Sequence, residues 1–75
     1  MTPIQCKMAR TALGWGVRDL ANAADVAPAT VTRFESGRGM QSRTIEAMRN
    51  ALEAGGIAFI PENGGGVGVR FKNKG

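Results

Sequence analysis

The sequence predicts a mainly α-helical domain of four short helices, closed by a short C-terminal β element. Three observations predict it. Apolar residues recur at helical spacing in four separate stretches between Pro3 and Ala54. Each stretch opens at a proline, glycine or serine and closes at a glycine or an aspartate. Beyond Ala54 alanine gives way to glycine, and two short β-prone runs, GIAFI and VGVRF, flank PENGGG. With 75 residues the chain can build one core, and a small one.

TPIQCKMARTALG is the first helix. Pro3 suits its first turn, where a missing N–H costs nothing, and Gly14 suits the left-handed residue after its last turn. Cys6, Arg10 and Leu13 fall on one face, so Arg10 is a charge in line with residues that should be buried. GVRDLANAAD supplies the second helix, residues 17–24, with Gly16 as a weak N-cap and Leu20, Ala21 and Ala24 inward. Trp15 staples its start. Asp25 stands where the chain must turn sharply, and aspartate tolerates the left-handed conformation better than most residues.

Pro28 opens the third helix, residues 28–36, and Gly37 closes it. Ala27, at the N-cap, has no group to cap with, so this helix depends on tertiary packing. Val31 and Phe34 point inward with Glu35 on the flank of that face; Ala29, Thr32, Arg33 and Ser36 point away. SRTIEAMRNALEAGG is the fourth helix, with Ser42 as N-cap, Ile45, Met48 and Leu52 inward, and Gly55 as terminator. GIAFI and VGVRF form a hairpin or two separate extended segments, and KNKG is a loose basic end. Residues 1–54 thus carry the helices, and residues 55–75 complete the same domain.

Arg10 and Glu35 are each the single charge on an otherwise inward face. A buried guanidinium and a buried carboxylate each need a partner, so the economical reading pairs them. Solvation of both at the domain edge is the alternative.

The longest apolar runs are too short to cross a bilayer, and no signal peptide is readable, so a cytoplasmic protein is expected. One cysteine, Cys6, allows no internal disulfide, and with no histidine a zinc site is excluded. The GGG at 64–66 lacks the lysine spacing of a phosphate loop. No pair of residues reads as a catalytic dyad, and no cofactor or small-molecule site is evident, so no enzyme is expected. A net charge of +4 favours an anionic partner, though solubility alone can account for it.

Two short helices joined by a tight turn, the second with small polar residues outward, make a helix-turn-helix. At these residues the chain resembles the phage repressor and Cro (XRE) family of DNA-binding domains. The matching pieces are ARTALG, DLA at 19–21, VTRFESG at 31–37 and ALEAGG at 51–56, in order and without gaps over about residues 4 to 54. Arg10 and Glu35 stand where that family carries a buried arginine–glutamate pair. The resemblance implies a compact four-helix, repressor/Cro-like domain and a transcriptional regulator that binds an inverted-repeat operator in double-stranded DNA. It places Pro28, Ala29, Thr32 and Arg33 at base edges. It places Arg18, Thr30, Ser36, Arg38, Ser42 and Arg43 near phosphates. The chemistry agrees: Arg33 can donate twice to guanine, and Ala29 and Thr32 can offer methyl contacts to thymine. Each of these arginines is otherwise an ordinary solvated charge.

The chain departs from the family pattern in three places. Val17 replaces the glutamine often found at the start of the second helix, which shifts that phosphate contact towards Arg18. Gly16 and Ala27 stand where serine or threonine is usual. The resemblance does not cover the C-terminal element. Ile57, Phe59, Val69 and Phe71 alternate with other residues and give one apolar face. A lone hairpin is marginal in water, so that face is expected on the helices, on a second copy of the chain in a homodimer, or on both. An interaction module of the same fold, of antitoxin or antiactivator type, is the second functional reading. Acidic residues on the outer face of the third helix would favour it, and that face has none.

Overall fold

The computed structural model describes residues 1–62 and 64–72. Helix α1 spans Pro3–Ala12, α2 Val17–Ala24, α3 Pro28–Glu35 and α4 Ser42–Ala54; strands β1, Ile57–Ile60, and β2, Gly68–Phe71, follow. The molecule is mostly helical, and the two strands form one antiparallel sheet.

Turn chemistry sets most of the helix ends. α1 begins with a capping box: Gln5 N–H donates to Thr2 Oγ1 at 3.2 Å, and Thr2 N–H donates to Gln5 Oε1 at 2.9 Å. It ends at Gly14, whose φ of 72° lets Trp15 N–H return to Arg10 O at 2.9 Å. At α2 the N-cap Gly16 offers no side chain, and Asp19 Oδ2 accepts from the Gly16 N–H at 2.8 Å instead. Asp25 closes α2 in the left-handed conformation, φ 58° and ψ 48°. α3 has no N-cap hydrogen bond at Ala27, and it ends at Gly37.

Two helix ends differ from the sequence reading by one residue: α3 ends at Glu35 with Ser36 as its C-cap, and the start of α4 is shifted. Ser42 is not the N-cap of α4 but its first helical residue; Gln41 is the cap and uses no side-chain bond. Helical bonding starts there because the Gln41 carbonyl accepts from Thr44 N–H at 3.0 Å and Ile45 N–H at 3.2 Å. At the far end Gly55 has an ordinary φ of −78°, and Gly56, at 111°, is the left-handed residue. Gly55 sits in a tight spot instead. A Cβ there would stand 3.0 Å from Leu13 Cδ1 and 3.2 Å from the Trp15 ring. The α1–α2 link therefore packs on the end of α4.

The core draws Cys6 and Ala9 from α1, Leu20, Ala21 and Ala24 from α2, and Val31 and Phe34 from α3. Met48 and Leu52 of α4 and Ile57 of β1 complete it. Fully burying a side chain of the Leu, Ile, Val or Met size contributes about 1.5–3 kcal/mol, so these few positions carry much of a small domain's stability. Ile45, expected inward, is half-buried at the core's edge.

The register pairs Ile57 with Phe71 and Phe59 with Val69. Cross-strand partners and alternate residues share a face, so these four side chains lie together. β1 packs on α4 and β2 on α1. Gln5, buried and unremarked in the sequence reading, joins them: its Nε2 donates to Ile60 O at 3.1 Å and Gly68 O at 3.0 Å. At the open end Lys72 N–H donates to Gly56 O at 2.8 Å. The rest of the basic end, residues 73–75, lies outside the described residues. Among those described, no helix is long and apolar enough to cross a membrane.

Candidate nucleic-acid interface

α3 has eight residues and no side-chain cap, so its placement comes from what holds its inner face. Val31 and Phe34 supply the apolar part. The polar part is a largely buried ion pair. Arg10 Nη2 donates to Glu35 Oε1 at 2.8 Å and Arg10 Nε to Glu35 Oε2 at 2.9 Å, a two-point geometry. The two side chains are only 13% and 10% exposed, so solvent screens this pair less than a surface one. Arg10 Nη1 also donates to Trp15 O at 3.2 Å, and Cys6 Sγ–H donates to Glu35 Oε2 at 3.3 Å. One guanidinium thus ties α1, the α1–α2 link and α3 together.

The ionisation states follow. Burial acts to raise the Glu35 pKa, but the hydrogen bonds from Arg10 and Cys6, with the Arg10 and Lys7 charges, hold it below the usual carboxylate value. The Arg10 pKa is raised, first by its hydrogen bonds to Glu35. Burial, then the hydrogen bond and charge of Glu35, push the Cys6 thiol up to about 12. Cys6 is therefore a protonated donor and not a nucleophile at neutral pH.

With its inner face fixed, α3 presents Pro28, Ala29, Thr32, Arg33 and Ser36 to solvent, and Thr30 is half-buried. Beside it lies a depression of about 610 Å³, lined by Thr30, Arg33, Arg38, Gln41 and Thr44 among others. Three of the sequence-predicted contact residues, Thr30, Arg33 and Arg38, come together there. Ser42 and Arg43, both exposed, lie on the first turn of α4, between Gln41 and Thr44. Arg18 is exposed on the first turn of α2 and does not line this depression. Ser36 Oγ–H is already donated to Thr32 O at 2.8 Å.

The charges around the depression suit an anion. Among the described residues the ion pairs are Arg10–Glu35 and Arg49–Glu53, so Arg18, Arg33, Arg38 and Arg43 have no carboxylate partner. The first turn of α4 has no acidic residue, and its first backbone N–H groups have no intrahelical acceptor. Gln41 and Thr44 were not singled out from sequence. Their role comes from where α4 begins, and that boundary was misplaced by one residue.

The four hairpin residues expected at a dimer interface divide. Ile57 is fully buried in this chain's own core, while Phe59 and Val69 pack against it. Phe59 also lies beneath Arg49, whose guanidinium carbon is 5.3 Å from the ring centroid. Phe71 is 56% exposed, as is Ile4 on α1. No protein-family model matches the chain, and neither does any curated protein.

Proposed function

We propose that this chain is a sequence-specific DNA-binding transcriptional regulator of the helix-turn-helix class, with α2 and α3 as its two motif helices. α3 lies in the major groove. An α-helix with its side chains is roughly 10–12 Å across and the groove is about 12 Å wide. Arg33 donates to guanine O6 and N7, and Pro28, Ala29 and Thr32 meet neighbouring bases. Arg38, Arg43, Ser42 and the α4 N-terminus hold phosphate, with Thr30 at the backbone and Arg18 contributing from the first turn of α2; Ser36 reaches the backbone only by giving up its bond to Thr32 O.

The observation that carries this reading is the depression beside α3. It gathers Arg33 and Arg38, both without carboxylate partners, next to a helix start that favours anions. The resemblance to the repressor and Cro family over residues 4 to 54 points the same way. A homodimer in which the hairpin, and Phe71 in particular, meets a second copy would set two α3 helices about one DNA turn apart, roughly 34 Å, for an inverted-repeat operator. Selection from a pool of random double-stranded DNA tests the reading. Enrichment of an inverted repeat supports it, and a pool that stays random contradicts it.

One observation favours the second reading, a protein-interaction module of the same fold. Ile4, Met8, Thr11 and Ala12 line a shallow apolar groove on the outer side of α1. Its charge does not distinguish a partner, since Lys7 is the one charged residue lining it.

A further inference from the structure

The outer face of α3 is rich in apolar surface and poor in hydrogen-bonding groups. Pro28 has no N–H and no polar side chain, and Ala29 presents only a methyl group. Ser36 has given its hydroxyl proton to Thr32 O at 2.8 Å. Arg33 offers donors and no acceptor. The Thr32 hydroxyl completes the set, beside the Thr32 methyl. No carboxylate and no amide side chain stands among these exposed residues.

Base edges in the major groove make different demands. Guanine shows two acceptors and suits Arg33. Adenine and cytosine show amino donors, whose bidentate or charged partners are the amides and carboxylates absent here; the Thr32 and Ser36 hydroxyl oxygens can each accept only a single, uncharged bond. Thymine shows a C5-methyl group, which apolar surface can meet. We infer that the first two turns of α3 read the C5-methyl groups of pyrimidines through Pro28, Ala29 and the Thr32 methyl, and that they bind 5-methylcytosine more tightly than cytosine at the same position. This rests on the reading of α3 as the helix that enters the groove. The contact removes water from both apolar surfaces; a pyrimidine without the methyl leaves Ala29 facing a gap of that size. Each methyl is worth about fourfold in affinity, the value of one buried carbon.

The test begins with the duplex that the full chain selects from random double-stranded DNA. Each thymine of its half-site is replaced by deoxyuridine, one at a time, and affinity is measured at one fixed salt concentration. Affinity is expected to fall about fourfold at the thymines facing the first two turns of α3 and to hold elsewhere. Cytosine at those positions binds more weakly than 5-methylcytosine. Ala29→Gly, its helix content checked by circular dichroism, loses the preference for thymine over uracil at one position. If that variant does not fold, the DNA substitutions decide alone. Equal binding of uracil and thymine duplexes at every position overturns the inference and leaves DNA recognition standing, and so does a selected half-site without thymine. Failure to enrich any duplex overturns the DNA-binding reading and this inference with it.

Discussion

Replacing Arg10 with methionine keeps most of the side chain's volume and removes the cation from beneath α3. The loss includes the bonds to Glu35 at 2.8 and 2.9 Å and the bond to Trp15 O at 3.2 Å. It leaves a carboxylate whose side chain is only 10% exposed, with Cys6 Sγ–H as its nearest donor. Breaking one partner of a buried pair costs about 3–5 kcal/mol, and the residual exposure places this one near 3. A domain of this size has only about 4–11 kcal/mol in total, from 0.05–0.15 kcal/mol per residue. At about 4–8 °C per kcal/mol the midpoint should fall by about 12–24 °C. Urea and thermal unfolding, followed by circular dichroism and by fluorescence of the single tryptophan, measure it. Arg10→Met with Glu35→Leu should regain part of the loss, because the stranded carboxylate is gone. A single variant within about 0.5 kcal/mol of the parent, the range of an unremarkable surface change, would refute the argument. So would a double variant that loses the sum of the two single losses.

Acid should weaken the same linkage. The folded-state pKa of Glu35 lies below its unfolded value, so its contribution is present above the ordinary carboxylate pKa and is lost as pH falls through the depressed one. Stability measured from pH 6 down to pH 3 should drop less steeply in Glu35→Gln, and equal slopes would count against the pair. Gln5→Met strips the donor from Ile60 O and Gly68 O, and should cost about 1–3 kcal/mol. Amide exchange in β1 and β2 should then quicken before that in α2, and uniform quickening would show that Gln5 does not act on the hairpin. Phe71→Glu places a charge on an exposed residue and should leave the fold intact while converting a dimer to a monomer in sedimentation. A parent already monomeric, or a variant still dimeric, rules out the hairpin interface.

The helices were legible because their ends carry local chemistry. Gly14 and Asp25 take the left-handed conformations that the sequence assigns them, and Gly37, read as the residue that closes α3, is left-handed too. Gly55 ends α4 as assigned, but the cap assigned to Ser42 missed by one residue, for a physical reason. Which carbonyl accepts the first helical N–H, and whether a glycine supplies freedom or room, is decided by packing; here Leu13 and Trp15 decide it at Gly55. The pattern Thr2-x-x-Gln5 is a local capping signature beside Pro3. The longer reach of Gln5, to residues 60 and 68, has no local signature. Strand alternation grouped Ile57, Phe59, Val69 and Phe71 on one face, but it does not say what covers them. Ile57 belongs to the chain's own core. At the candidate interface the arginines were legible one by one. The depression that Arg33 and Arg38 line was not, because it arises from where α4 starts relative to α3.

The central claim is that the exposed face of α3, through Arg33, discriminates between DNA sequences. The most direct measurement is the affinity of the parent and of Arg33→Ala for the selected duplex and for a scrambled duplex, at one salt concentration. The loss of a bidentate guanine contact is about 1–3 kcal/mol, or roughly 5- to 150-fold in discrimination. The ratio between the two duplexes should collapse by that much, while weak, salt-sensitive binding to both persists through Arg38 and Arg43. An Arg33→Ala protein that keeps the parent's preference for the selected duplex would contradict that claim.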